Sequence, residues 1–392
     1  MEVARTVIGA ALVAAAAACG AGDVGAAPGS DGDPRASSGA DGGREPTARP
    51  DGGSDAASAP DGAAPVPLPP MPHPSFLVGY NEAWFGTKFG VDYTSGFDLA
   101  YVEKTLDGIV AGGGHLVRLW IWEVPQGVVL APGSPRTQGL EPSFLANLDA
   151  VLLAARRRAL WVYVTLLDGN TIAKIQGDLR PYGLALLNNT GGELDAWNDR
   201  ALAPLLARLD ARKDGIFGLD LVNEIQAAYG ADVFPDRYAA PRAFIAKEAA
   251  FVKSRSPWLK VTASAGWPSD ILQQGAQYDV SRGFLSGLGL DFYDVHAYED
   301  SGAFPGATAM CARAASDGVP VYLGEFGQRS TALDDAKQLS ATSAFLNNAK
   351  SLCFAGAFAW RWDAAEGARG YLRPDGSERP TVTPMKAFGA AP

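Results

Sequence analysis

The chain has 392 residues and a formal net charge of −10 at neutral pH. That length allows one large domain or two domains of ordinary size. The acidic balance argues against a nucleic-acid partner, because such a partner requires a basic surface on the protein. Aromatic residues make up 10% of the chain and include nine Trp; large aromatic side chains mostly fill cores, and they also provide flat surfaces for ligands.

An apolar segment follows Arg5 and spans residues 7–18. It is too short to cross a bilayer as a mature helix and is typical of a secretory signal. Three alanines and then Cys19 close the segment, which resembles the signal of bacterial lipoproteins, where that Cys becomes the lipidated first residue. We therefore expect an exported protein, lipid-anchored through Cys19 at the bacterial cell surface or outer membrane. The alternative is an ordinary secretory signal and a freely secreted protein.

Residues 20–71 are rich in Gly, Asp, Ala and Pro and contain repeated Asp-Gly pairs. Such a composition buries too little to offset the entropy of ordering, so we predict a disordered linker between the signal (1–19) and a folded domain (72–392). Two cysteines, Cys311 and Cys353, lie in that domain. In an exported protein an even pair suggests a disulfide, and two free buried thiols are the alternative.

Short apolar runs alternate with helical patterns throughout the domain. The runs are mostly continuous and rich in Val, Leu, Ile and aromatic residues, which favours strands buried on both faces of a parallel sheet. Eight repeats favour an α/β fold, a closed (β/α)8 TIM barrel, over a doubly wound open sheet. No glycine-rich phosphate loop follows the first run, which argues further against the doubly wound open sheet. The predicted strands are 76–81, 116–122, 160–167, 216–223, 260–266, 292–296, 319–324 and 356–360.

The helical patterns have recognisable beginnings and ends. The first begins at an Asp and stops at three consecutive glycines, 112–114, and the second carries an apolar stripe along one face. The fifth crossover, 268–290, has weak helical character, and a last helix near 384–390 is short. The predicted helices are 98–111, 142–158, 194–212, 241–256, 307–317 and 334–352.

Two of the predicted strands end in glutamate. The fourth run, in LDLVNEIQ, ends in Asn223 and Glu224, and the seventh, in YLGEFG, ends in Glu325. In a (β/α)8 barrel the carboxyl ends of all strands open onto one cleft, where active sites lie. Glycoside hydrolysis requires two carboxylates flanking one bond, one protonated and one ionised. Either motif alone is weak, since Asn-Glu after an apolar run most often begins a loop; the prediction depends on their occurrence together.

This pattern resembles the clan A glycoside hydrolases, retaining enzymes on a (β/α)8 barrel, and most of all family 5, the cellulases and endo-β-mannanases. The resemblance covers the domain from Phe76 onward. It implies that Glu224 is the general acid/base and Glu325 the nucleophile. It implies supporting or substrate-binding roles for Asn223 beside Glu224, Arg118 in LVRLWIW, His296 and Tyr298 in DVHAYED, and Trp360 in FAWRW. We expect Arg118 and Tyr298 to lower the pKa of the Glu325 carboxyl.

Other acidic and aromatic residues follow the predicted strands. Trp84 and Trp267 are expected to line the cleft, whereas other tryptophans near strand ends are expected to pack. Many family 5 members carry a His near the end of strand three, where this chain has Asp168 and Asn170. The tryptophans expected to pack are Trp120, Trp122 and Trp362. The acids that follow strands are expected to be solvated, or alternatively to bind sugar hydroxyls; they are Glu82, Glu123, Asp168, Glu299 and Asp363.

The sequence thus predicts a monomeric retaining glycoside hydrolase that cleaves β-1,4-linked polysaccharide, either mannan or glucan, without a metal or organic cofactor. Polysaccharide or oligosaccharide is the expected partner, and a membrane is reached only through the lipid anchor. Long inserts at 169–195 and 227–240 are expected to shape the cleft, and endo or exo action stays open. The alternatives are a surface glycan-binding barrel with little turnover and a transglycosylase.

Overall fold

The structure is a computed structural model that describes residues 67–85, 93–123, 125–169, 180–225, 239–266, 284–330, 334–364 and 369–390. The predicted signal segment with Cys19, nearly all of the linker, and Trp267 lie outside these residues, as do parts of both predicted inserts. The folded unit comprises Leu68–Pro392. Arg156 donates to the Pro69 carbonyl at 2.6 Å, so ordered contacts begin slightly before residue 72, the predicted boundary.

Eight parallel strands form the barrel in the order of the chain. The fifth consists of two short segments on either side of Ala263; the first pairs with the fourth strand and the second with the sixth. The sheet therefore closes on itself through this strand, and the predicted (β/α)8 barrel is confirmed. The strands are β1 Leu77–Asn81, β2 Leu116–Trp120, β3 Trp161–Asp168, β4 Ile216–Asn223, β5 Val261–Thr262 with Ser264–Ala265, β6 Tyr293–Tyr298, β7 Val321–Gly327 and β8 Phe354–Ala359.

Helices surround the barrel. Asp98 caps the first of them, accepting the backbone N–H groups of Ala100 and Tyr101, as the sequence predicts. Among the described residues no helix is long and apolar enough to cross a membrane. The helices are α1 Leu99–Ala111, α2 Pro142–Arg157, α3 Arg180–Leu187, α4 Glu193–Trp197, α5 Ala203–Asp210, α6 Ala239–Arg255, α7 Ala307–Asp317, α8 Asp335–Ser351 and α9 Val382–Gly389.

Three features differ from the sequence-based prediction or resolve an alternative. The helix predicted over 194–212 contains a π-helical turn, Asn198–Leu202, between α4 and α5. A short antiparallel hairpin, Val128–Leu130 with Thr137–Leu140, follows β2 and was not predicted. A disulfide joins Cys311 of α7 to Cys353, which immediately precedes β8, so the structure contains the bridge and not two free thiols.

The barrel interior is layered. A bottom layer of apolar and aromatic side chains comes from four strands and from Phe292, which directly precedes β6; the other members are Leu77, Leu116, Tyr163 and Phe358. Since alternate residues of a strand point to opposite faces, the residues two positions further along β2 and β6 also point inward. Those residues, Arg118 and Asp294, have ionisable side chains, and they lie between the apolar layer and the carboxyl ends of the strands.

The π-helical turn brings an amide to a buried carboxyl group on α6. Asn198 donates its Nδ2 to Glu248 Oε1 at 2.9 Å, and both side chains are buried. Glu248 Oε2 and Asn198 Oδ1 have no hydrogen-bond partner among the described residues. Burial raises the pKa of Glu248 to about 7. A proton on Oε2 can be donated to Asn198 Oδ1, which closes a ring of two hydrogen bonds and satisfies both atoms.

Glu248→Gln should make the free energy of unfolding less dependent on pH. The wild type binds a proton more tightly when folded, so it loses stability as pH rises from the unfolded pKa through the folded pKa. Between pH 5 and pH 8 this amounts to about 2 kcal/mol. Gln offers the same ring of hydrogen bonds without an ionisable group. Urea denaturation at the two pH values measures the difference, with the exposed Glu141→Gln as the matched control; equal pH dependence in all three proteins would contradict the prediction.

Candidate active site

A bulge in β7 directs Glu325 into the barrel. Leu323 pairs with Val295 of β6, and Glu325 pairs with the very next residue, His296, so the intervening Gly324 is an extra residue in the register. Such an insertion reverses the face to which the following side chains point. Phe326 accordingly packs outside the barrel against Phe345 of α8, and Glu325 occupies the interior.

Glu224 follows β4 in an unusual backbone conformation. Its φ is +45°, a region that non-glycine residues seldom adopt and that is often found at functional sites. Its backbone N–H donates to Ser264 Oγ of β5 at 3.1 Å. This tight turn places the Glu224 carboxylate beside His296 of β6, with Oε1 2.8 Å from Nδ1.

His296 lies between the two glutamates. Its Nδ1 is 2.8 Å from Glu224 Oε1 and 3.5 Å from Glu325 Oε2. One donor atom from each of the three side chains lies within 4.8 Å of the others. The imidazole is fully buried, and burial lowers its pKa to about 4, so His296 is neutral near pH 7 and offers one N–H and one lone pair.

Arg118 of β2 is buried beneath the glutamates and binds four acceptors from three other strands. Nη1 donates to Glu325 Oε1 at 2.5 Å and to Asn81 Oδ1 at 3.0 Å. Nη2 donates to Asp220 Oδ2 and to Asn223 Oδ1, each at 2.8 Å. Burial acts to lower the pKa of Arg118, but Glu325, Asp220 and Asp294 outweigh it and raise that pKa. The guanidinium is a permanent charge in the barrel.

Burial is the largest influence on the Glu325 carboxyl and raises its pKa. His296, Arg118 and the hydrogen bond from Tyr298 Oη, at 2.6 Å to Oε2, all act to lower it. The expectation that Arg118 and Tyr298 would leave this pKa below its usual value is therefore wrong. Both act in the expected direction, but removal of the carboxylate from water outweighs them.

Asn223 is held on both sides of its amide. Its Oδ1 accepts from Arg118, and its Nδ2 donates to Asp168 Oδ1 at 3.0 Å. Asp168, a residue that the sequence left as a solvated acid by default, is buried. Asp168 thus fixes the orientation of Asn223, the residue before Glu224. It occupies the strand end where many family 5 members have a His.

Three tryptophans form an aromatic cluster beside Tyr298: Trp84, Trp120 and Trp360. Their ring centroids are 5.6–6.0 Å apart, and Trp84 Nε1 donates to Glu123 Oε2 at 2.6 Å. Trp84 and Trp360 were expected at the cleft, and Trp120 was expected to pack. Trp120 is buried and packs within this cluster, because it shares the inward face of β2 with Arg118. The expectation of core packing holds for Trp122 and Trp362, which contact Phe144 and Tyr80 respectively.

An arginine that the sequence analysis did not single out organises the other side of the cluster. Arg361 follows Trp360, lies 4.6 Å from the Trp84 ring centroid, and pairs with Asp363 at 2.6 Å. Glu82 is 3.6 Å from the same guanidinium. Glu82 and Asp363 are thus partners of a buried cation and not solvated acids. Glu299, by contrast, makes only a loose pair with Arg329 at 3.6 Å.

Asn81, Asp220, Ser264 and Asp294 were also missed by the sequence analysis. The signal for two of them was present: an Asp in the middle of a buried apolar run, as in LDLV and YDVH. A charged side chain is rarely buried without a partner, so each such Asp predicts a cation or a proton inside the barrel. Asn81 and Ser264 carry no comparable signal.

The three groups Glu224, His296 and Glu325 lie close enough together to hold a cation. The Arg118 guanidinium, however, already lies 2.5 Å from Glu325 and would repel a second cation there. Tyr298 donates to the other oxygen of Glu325, and His296 Nδ1 lies beside Glu224 Oε1. The arrangement favours proton transfer and nucleophilic attack by the carboxylates.

Comparison with known proteins supports the fold. No protein-family model matches the sequence. Over 155 residues, 39% of this chain, the sequence is 28% identical to a mannan endo-1,4-beta-mannosidase of Mytilus edulis, and the match spans 40% of that protein's length. The solved β-mannanase of Mytilus edulis has a TM-score of 0.62 and 19% identity, covering 80% of this chain and 92% of the mussel chain.

Two further solved structures have the same barrel. An exo-β-1,4-mannosidase from Opitutaceae bacterium strain TAV5 has a TM-score of 0.63 and 16% identity, covering 80% of this chain and 59% of its own. GH5_18 from Streptomyces cattleya has a TM-score of 0.60 and 17% identity, covering 80% of each chain. At these identities the likeness shows the fold, and the resemblance to family 5 drawn from the strand-end motifs is confirmed at that level.

Gly324→Ala should destabilise the protein by about 1–3 kcal/mol, the usual cost of overpacking a filled interior. A Cβ at this position would overlap the carboxyl group of Asp294, so either the bulge or Asp294 must move. Chemical denaturation measures the change. Gly139→Ala in the hairpin is the matched control, because a Cβ there meets nothing within 4 Å; equal stability of the two variants would contradict the packing argument.

Proposed function

We propose that the protein is a retaining glycoside hydrolase that cleaves β-1,4-linked mannan. The observation that carries the proposal is the pairing of Glu224 and Glu325 across His296, with donor atoms within 4.8 Å of one another. Retaining enzymes use two carboxyl groups about 5 Å apart, whereas inverting enzymes need about 6.5–9.5 Å to admit a water molecule. Mannan is favoured over glucan because the curated relative and several structural neighbours are named as mannanases.

The reaction follows from the environments of the two glutamates. Glu325 attacks the anomeric carbon while Glu224 gives its proton to the departing glycosidic oxygen, so the C–O bond breaks and a glycosyl ester forms on Glu325. Glu224, now ionised, takes a proton from water, and the resulting hydroxide attacks the same carbon. Glu325 leaves as a carboxylate, and two inversions give net retention.

The buried network supports the first of these steps. Arg118 and Tyr298 hold the two oxygens of Glu325, which fixes the nucleophile in one orientation before substrate arrives. Esterification removes the negative charge that burial disfavours. The indole face of Trp360, braced by Trp84 and Trp120, provides an apolar surface for the C–H face of a sugar ring.

We also propose that the enzyme is exported and anchored through Cys19. The apolar segment at 7–18 and the linker composition support this, and so does the Cys311–Cys353 disulfide, because such bonds persist in oxidising compartments. The intact mass of the mature protein is the test: a lipid on Cys19 supports the anchor, and an unmodified N-terminus elsewhere supports free secretion.

The purified protein should release reducing sugar from glucomannan or galactomannan, and less or none from carboxymethylcellulose, mixed-linkage glucan and xylan. Glu325→Gln and Glu224→Gln should each lower kcat by about 10³-fold or more, since each removes a group that acts in the bond-breaking step. The matched control is Glu299→Gln, a partly exposed glutamate one residue beyond β6. Mannan binding without turnover would support the glycan-binding alternative, and full activity of Glu325→Gln would refute the assigned nucleophile.

Tyr298→Phe should move the acidic limb of the kcat/KM profile to higher pH by about one unit. The active form of Glu325 is ionised, and the Tyr298 hydrogen bond stabilises that form, so its loss raises the Glu325 pKa further. Activity then falls earlier as the pH is lowered. Tyr293→Phe is the matched control, because this tyrosine of the same strand points outward and donates to Asp317. An unchanged limb, or one that moves to lower pH, would contradict the assignment.

A further inference from the structure

Asp294 is a buried carboxyl group beneath the two glutamates. It lies on β6 two residues before His296, so both side chains point into the barrel. Tyr163 of β3 donates its hydroxyl to Asp294 Oδ2 at 2.5 Å. Asp294 Oδ1 and His296 Nε2 each lack a hydrogen-bond partner among the described residues, yet they lie only 3.6 Å apart. Two buried polar atoms facing each other in this way require an explanation.

Three buried carboxyl groups share one cation in this layer. Arg118 directly binds two of them, Asp220 and Glu325, and it makes no hydrogen bond to Asp294. One positive charge does not offset three buried negative charges, so one carboxyl group should hold a proton. Asp294, whose neighbours are the Tyr163 hydroxyl and the His296 imidazole, is the one without a cation in contact.

The electrostatic environment agrees with this geometry. Burial raises the pKa of Asp294 to about 8, with Arg118 and the Tyr163 hydrogen bond acting against it and with Asp220 and Glu325 adding to it. His296 is neutral, because burial lowers its pKa to about 4. A neutral imidazole carries a single ring proton, and the partner of one nitrogen decides which nitrogen has it.

We propose that Asp294 carries a proton on Oδ1 and donates it in a hydrogen bond to His296 Nε2, which holds His296 in the Nδ1–H tautomer. His296 then donates Nδ1–H to Glu224 Oε1, with Glu325 Oε2 as the more distant acceptor. Since Oε1 of Glu224 accepts this bond, the proton that Glu224 gives to the leaving group resides on Oε2. Asp294 is a positioning residue, and this last consequence rests on the proposed function.

The opposite arrangement is the familiar one. An ionised Asp294 would accept Nε2–H from His296, as the buried Asp of a serine protease accepts from its His. Nδ1 would then be a lone pair and could only accept from Glu224. The two arrangements predict different effects of Asp294→Asn on the His296 tautomer and on activity. Asn resembles a neutral carboxylic acid as donor and acceptor but does not ionise.

Nitrogen-15 NMR of the wild-type protein labelled at its histidine rings tests the tautomer directly. The chain has three histidines, and the His73→Gln and His115→Gln variants identify the signals of His296. At pH 6.5 the Nδ1 signal should be that of a protonated ring nitrogen and the Nε2 signal that of an unprotonated one. A protonated Nε2 would overturn the proposal. The spectrum requires no substrate, so its outcome is independent of whether the protein hydrolyses a glycan.

Asp294→Asn should keep the Nδ1–H tautomer, because its amide can donate to His296 Nε2 and accept from Tyr163. Its kcat on mannan should stay within about tenfold of wild type, whereas loss of an ionised Asp partner typically costs about 10⁴-fold. At pH 10 the wild type should shift toward Nε2–H as Asp294 loses its proton, and the Asn variant should not. A loss of about 10³-fold or more in the Asn variant, or the same pH 10 shift in it, would overturn the proposal.

Asp294→Leu removes the donor and replaces it with an apolar side chain that is likewise branched at Cγ. It should give a mixture of His296 tautomers and lower kcat at least about tenfold with KM nearly unchanged, since the substrate does not contact this position. The outer-face variant Asp317→Asn is the matched control and should leave the His296 spectrum as in the wild type. A Leu variant with the pure Nδ1–H tautomer would show that Asp294 does not fix it.

Discussion

One buried guanidinium holds this site together. Burying a charge is costly unless it is paired and hydrogen-bonded, and Arg118 meets that requirement through Asn81 of β1, Asp220 and Asn223 of β4 and Glu325 of β7. Leaving any of these partners unpaired would cost free energy. The strands that carry them are therefore held in one relative geometry. The same cation also influences which carboxyl groups are charged, because it pairs directly with Asp220 and Glu325 but not with Asp294.

Two departures from regular backbone aim the glutamates. Gly324 is the extra residue of a bulge, without which Glu325 would point toward the helices, and Glu224 adopts a positive φ that turns its carboxylate toward β6. Both cost conformational free energy, and both persist because the surrounding register determines them. The absent side chain at Gly324 has a second consequence, since it leaves the space that Asp294 occupies.

The sequence predicted the barrel, and it predicted that Glu224 and Glu325 meet because the parallel strands of a barrel end on the same face. The roles expected for Arg118 and His296 came from the resemblance to family 5. The sequence did not predict the bulge, because a Gly in a strand suggests an irregularity without giving its direction. It misjudged the Glu325 pKa, because burial depends on every neighbouring strand. It predicted that Trp120 packs, but it could not show that the packing partners are Trp84 and Trp360, because this depends on the register of the strands.

In the proposed mechanism Glu325 must be ionised, and the two interior aspartates bear on how that is achieved. Asp220 and Asp294 have the same side chain and are both fully buried, yet Asp220 contacts Arg118 and Asp294 contacts a tyrosine and an imidazole. If every carboxyl group here were charged, repulsion would push protons onto Glu325, where they would block attack. A neutral Asp294 relieves that repulsion and gives the proton a second use, in orienting His296. On the proposed mechanism, a protonated Asp294 would in this way support both Glu224 and Glu325.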